Sequence, residues 1–158
     1  MLISRTTGSA SVVPELVYAD VEEAIQWLCE TFGFAELWRA DGHRARLAYG
    51  NGVVIVADHD PDYGRAVPGD NGLRSYSIMV KVENVDAHHD HARRQGARVL
   101  SPPTDYSYGE RQYSVEDLAG HQWTLRKPSP IWRLRIGAGH PSRSPRSTSR
   151  ADARGGPT

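Results

Sequence analysis

The chain has 158 residues, 39% of them hydrophobic, and its 19 basic and 19 acidic side chains leave no formal net charge. The balance is uneven: six Arg and one Asp from Arg133 onward leave a body near −5 and a tail near +5. A mildly acidic body argues against nucleic acid as the main partner. No apolar run reaches the roughly 18 residues of a membrane span, and the single cysteine, Cys29, excludes an intrachain disulfide and fits a reducing cytoplasm.

Met1-Leu2-Ile3-Ser4-Arg5 lacks the apolar stretch of a signal peptide, so the expectation is a soluble, cytoplasmic protein with a short flexible start over 1–10. Val12 to Tyr18 reads as a strand, with Pro14 acceptable at a sheet edge. Asp20 then caps a helix to about Thr31, in which Val21, Ala24, Ile25 and Leu28 recur on one face. Gly33 ends it. Ala35–Arg39, Arg44–Tyr49 and Val53–Ala57 read as strands, separated by the hairpin dipeptides Asp41-Gly42 and Asn51-Gly52.

A linker rich in Asp, Gly and Pro follows over 61–73. The same order of elements then begins again. Tyr76–Val82 is a strand, Asn84 a cap, Val85–Gln95 a helix and Gly96 its stop. Val99-Leu100, Arg111–Val115 and Gln122–Arg126 supply three more strands, the last two joined by a turn between Asp117 and Gly120. From Ile131 the chain is basic, then rich in Ser, Arg, Pro and Gly, and is expected to be largely disordered.

The sequence is thus an internal repeat of two βαβββ modules, about 11–60 and 74–128, in one domain over 11–130. The predicted fold class is α+β: a curved mixed sheet, helices outside, and a concave face suited to a ligand.

The residues Val21-Glu22-Glu23-Ala24-Ile25-Gln26-Trp27-Leu28 with Phe32-Gly33-Phe34 resemble the first helix of the vicinal oxygen chelate superfamily. That superfamily includes glyoxalase I, bleomycin-resistance proteins and extradiol dioxygenases. Val82-Glu83-Asn84-Val85-Asp86 followed by Gly96-Ala97 resembles the second helix, and Tyr108 to Val115 with Asp117…Gly120-His121 resembles the closing hairpin.

The resemblance implies four metal-ligand positions, usually His or Glu in metal-dependent members. Carried over one by one, they fall on Val13, Ile55, Ser77 and Thr124, none of which binds a divalent cation well. His88, His89 and His91 read instead as a solvated helix face, and His121 as structural. No metal and no cofactor is expected.

Strand parity places Glu15, Ile55, Ser77, Met79 and Thr124 on the concave face. Trp38 and Tyr49 from the first module, and Tyr106, Tyr108 and Arg111 around the loop Asp105-Tyr106-Ser107-Tyr108-Gly109, complete the candidate ligand residues. Trp27 and Trp123 face the helix–sheet core. Aromatic rings edged by polar groups suit a flat organic ligand. The resemblance implies a metal-less binder of the bleomycin-resistance type, a homodimer by default, sequestering an aromatic drug or natural product. The alternative is an isomerase, cyclase or lyase with Glu15 as general base.

Overall fold

The computed structural model describes residues 10–69 and 71–129. The first module holds β1 (Glu15–Tyr18), α1 (Val21–Phe32), β2 (Ala35–Ala40), β3 (Arg44–Tyr49) and β4 (Gly52–Asp58). After a 3-10 turn at Pro61–Tyr63, the second holds β5 (Ile78–Lys81), α2 (Val85–Arg94), β6 (Arg98–Tyr106), β7 (Glu110–Glu116) and β8 (Gln122–Pro128). The expected basic tail lies outside the described residues.

The repeat is reproduced strand for strand. The strands form two four-stranded sheets, ordered β1-β4-β3-β2 and β5-β8-β7-β6. In each, the first strand pairs parallel with the last through four residue pairs, Glu15↔Ile55 to Tyr18↔Asp58 and Ile78↔Trp123 to Lys81↔Arg126. The other pairings are antiparallel. β1 begins later than the sequence predicts. Pro14 has no N–H for the ladder, and only its carbonyl takes part, accepting from the Ile55 N–H at 2.8 Å.

Both helices start as their caps dictate. The Asp20 carboxylate accepts from Glu23 N–H at 2.9 Å, and the Asn84 side chain accepts from Ala87 N–H at 3.0 Å. Gly33 closes α1 in the left-handed region at φ 82°. The hairpin between β3 and β4 differs from the expected Asn51-Gly52 turn. The turn residues are Gly50 and Asn51, and Gly50 takes the positive φ, 57°. Gly52 is already paired with Tyr49 in the ladder.

One apolar core unites the modules. Leu16, Tyr18, Leu47, Val54 and Val56 of the first sheet join Ile25, Leu28 and Phe32 of α1 with Val80, Tyr113, Val115, Trp123 and Leu125 of the second. Trp123 is fully buried, edge-on to Phe32 and Phe34 with ring centroids 5.4 and 5.6 Å away. Alternation sends Glu15, Ile55, Met79 and Thr124 to the opposite, concave faces.

Polar contacts lock the modules at two points. At the first, Asp117 is buried and accepts four hydrogen bonds: Tyr18 hydroxyl (2.6 Å), Trp123 Nε1 (2.9 Å), and the Ala119 and His121 amides (3.0 Å each). His121 is buried as well, with Nε2 2.9 Å from the Val17 carbonyl and Nδ1 bonded to the Tyr76 hydroxyl. Its structural role is therefore as expected.

The second point corrects the solvated-face reading of α2. His88 places Nε2 3.1 Å from the Phe32 carbonyl and Nδ1 2.7 Å from the Tyr113 hydroxyl. His91 places Nε2 2.8 Å from the Glu30 carbonyl. The two histidines thus serve the open carbonyls at the C-terminal end of α1. Their i, i+3 spacing was visible in the sequence, but the helix they face was not.

Candidate functional site

The ladder registers arrange the concave faces in rows. In the first sheet one row runs Trp38 (β2), Arg46 (β3), Ile55 (β4) and Glu15 (β1). Glu15 and Ile55 were named from sequence parity, and Trp38 was a further candidate of the first module. Arg46 was missed because nothing in sequence fixes which β3 residue faces Ile55. In the second sheet the equivalent row is Ser101, Ser114, Thr124 and Met79, and the next is Thr104, Gln112, Arg126 and Lys81.

The registers also test the four expected metal positions. Glu15 pairs with Ile55 as Met79 pairs with Thr124, so Val13 and Ser77, each two residues earlier, are equivalent in turn. Ser77 Oγ and Thr124 Oγ1 lie 2.9 Å apart, hydrogen-bonded to each other. Ile55 is an alkyl chain, buried at 5% exposure, and Val13 is half-buried. Two hydroxyls and two alkyl groups do not fit a divalent cation. Among the described residues, no group of three or more His, Cys, Asp or Glu comes together to hold a metal ion.

Glu15 is tied up in charge pairs. Arg44 donates to both its carboxylate oxygens, and Arg65 Nε lies 4.0 Å away. Arg65 also reaches Asp58 at 3.0 Å and Asp60 at 3.2 Å, and His43 Nδ1 lies 3.0 Å from Asp58. Asp58 is held below the usual carboxylate range, chiefly by the His43 hydrogen bond and also by Arg65. Both carboxylate oxygens of Glu15 are thus already engaged by a guanidinium.

A cleft of about 980 Å³ opens between the β3–β4 hairpin and β5. Tyr49, Ser77 and Met79 line it, with Val53, Phe34, Lys81 and Arg126. Tyr49 packs edge-on to Phe34 at 5.5 Å, and burial, with a smaller push from the Glu83 charge, raises its phenol. A second hollow of about 580 Å³ along β1 is lined by Glu15, Ser77, Tyr76 and His121.

Tyr106 and Tyr108 are brought together, their rings stacked at 5.2 Å and 23°. The expected loop is shorter than the sequence implied: Tyr106 ends β6, and only Tyr108 lies in the turn. Tyr106 pairs with Glu110, which bonds Arg126, and the Tyr108 hydroxyl accepts from Gln112 Nε2, so both rings flank the concave face.

Arg111 does not join the site. β7 alternation turns it to the helix side, where it bonds both carboxylate oxygens of Asp86 on α2 (2.7 and 2.9 Å) and one of Asp105 (3.1 Å). Its neighbour Glu110 points into the concave face instead, where it pairs with Arg126. Without the strand register the sequence could not separate the two.

A family model described as the Glyoxalase/Bleomycin resistance protein/Dioxygenase superfamily matches residues 10–125. The uncharacterized protein Rv0887c of Mycobacterium tuberculosis is 30% identical over 123 residues, covering 73% of this chain and 72% of that protein. Among solved structures, TioX from Micromonospora sp. ML1 is similar at TM-score 0.63 and 32% identity, over 76% of this chain and 99% of that one. The fosfomycin resistance protein FosX from Listeria monocytogenes, solved with Mn(II) and sulfate, matches at TM-score 0.62 and 14% identity, over 82% and 98%. At that identity the FosX likeness is one of fold.

Proposed function

The chain belongs to the Glyoxalase/Bleomycin resistance protein/Dioxygenase superfamily, and within it we propose a metal-independent binder that sequesters a flat organic molecule, a drug or natural product. The observation that carries this reading is the Ser77–Thr124 hydrogen bond at two of the four positions where metal-dependent members hold their ligands. The hydroxyls satisfy each other beside an open cleft whose walls include Tyr49, Phe34, Val53 and Met79. Exposed aromatic rings at Trp38 and the stacked Tyr106–Tyr108 pair offer further stacking surfaces on the concave faces.

The alternative use of Glu15 as a general base loses support from its Arg44 clamp. A homodimer, in which a second copy helps enclose each concave face, is part of the proposal. So is a cytoplasmic setting, supported by the single thiol.

The test is an intrinsic-fluorescence titration of the purified protein against planar aromatic natural products, alongside metal analysis and sedimentation velocity. The expected result is saturable binding that survives chelator treatment, weakened by Tyr49→Ala and Met79→Ala. A tightly held stoichiometric divalent cation required for binding would overturn the reading.

A further inference from the structure

We propose that the molecule taken by the large cleft carries an acidic group, a carboxylate, sulfonate or phosphate, held between Lys81 and Arg126. This deepens the binding reading above and rests on it.

Lys81 and Arg126 lie directly opposite each other on the paired strands β5 and β8, both on the concave face and both lining the cleft. Like charges in direct cross-strand register destabilise a sheet, and nothing in packing requires two cations there. Arg126 is partly offset by Glu110, diagonally placed on β7. Lys81 has no ion pair among the described residues, and its side of the pair faces the open cleft. Lys127 adds a third cation to the same lining.

The one carboxylate in the lining, Glu83, does not relieve the pair. It makes no salt bridge among the described residues, and its charge is felt by the Tyr49 hydroxyl on the opposite wall. The cleft is therefore polarised. A positive corner at Lys81 and Arg126 adjoins the apolar surface of Val53, Phe34 and Met79. An aromatic body against that surface, with its acid at the corner, would neutralise Lys81 beside the Glu110-paired Arg126.

The experiment uses two fluorescent probes with nearly the same ring system, 8-anilinonaphthalene-1-sulfonate and uncharged N-phenyl-1-naphthylamine. Each is titrated into the full chain and into Lys81→Met and Lys81→Arg, at low and high salt. Lys81 is exposed on an edge strand, so both variants are expected to fold, which circular dichroism checks. The expected result is that Lys81→Met weakens the sulfonate roughly three- to tenfold and the neutral probe less than about twofold. Lys81→Arg retains the sulfonate, and added salt weakens the sulfonate alone. If both probes bind and Lys81→Met affects them equally or not at all, the acidic-group inference fails while the binding reading stands. If neither probe binds, both fail.

Discussion

Removing the Asp117 carboxylate should unfasten the two modules from each other. The four donors it serves are Tyr18 hydroxyl and Trp123 Nε1, both on Oδ2, and the Ala119 and His121 amides, both on Oδ1. Burial and the neighbouring carboxylate push the Tyr18 phenol well up, so it stays a protonated donor throughout the working range. In Asp117→Ala all four donors lose their acceptor at a site that is 6% exposed. Leaving a buried donor unpaired costs about 1–3 kcal/mol, and water entering the cavity recovers part of it. The expected loss is roughly 3–5 kcal/mol, a large share of the 5–15 kcal/mol typical of a domain.

Asp117→Asn separates the two oxygens. An amide oxygen at the Oδ1 position keeps both backbone bonds. The amide nitrogen then faces Trp123 Nε1, another donor, while the Tyr18 hydroxyl can rotate to accept. The cost should be roughly 1–2 kcal/mol. Urea denaturation followed by tryptophan fluorescence and far-UV circular dichroism measures both losses. An Asp117→Ala cost below about 1 kcal/mol, or an Asp117→Asn cost equal to that of Asp117→Ala, would refute the accounting.

Two further outcomes follow from the same clasp and from the helix interface. Gly120 takes φ 85°, and a Cβ there would meet Arg74 Nη2 at 2.6 Å, so Gly120→Ala should cost roughly 1–2 kcal/mol by thermal denaturation. The guanidinium can swing aside, so backbone strain is the larger part, together with the Arg74 Nε–Gly120 carbonyl bond of 2.7 Å. Burial lowers His88 from its ordinary value of 6.5, against the opposing pull of the Phe32 carbonyl. The unfolded chain therefore binds the extra proton first as pH falls below 6.5, and stability falls with it until the folded pKa is reached. Above 6.5 this contribution is complete. Denaturation midpoints between about pH 5 and 8 should show this slope in the wild type and a shallower one in His88→Gln.

By itself the sequence determined the local elements and their repetition. Asp20 and Asn84 could be read as caps, because a side-chain acceptor three residues before a free amide needs no distant partner. Gly33 and Gly96 could be read as stops, and alternation in β4 and β8 separated core from concave residues without a structure. The superfamily resemblance, carried onto that repeat, located Val13, Ile55, Ser77 and Thr124 as the expected ligand positions, and their unsuitability for a metal followed from residue type alone.

Tertiary structure decided whatever depended on a partner distant in the chain. Arg111 and Glu110 are adjacent in sequence yet serve opposite faces, because the β7–β8 register, not composition, sets which one meets Arg126. His88 and His91 read as solvated until α1 is placed against them. Glu15 looked available as a base until Arg44, 29 residues away, closed on both its oxygens. The Lys81–Arg126 opposition exists only once β5 and β8 are paired. Local hydrogen bonding and side-chain alternation are short-range and legible in order along the chain. Register and inter-module contact are long-range, and at this site they settle which charges meet.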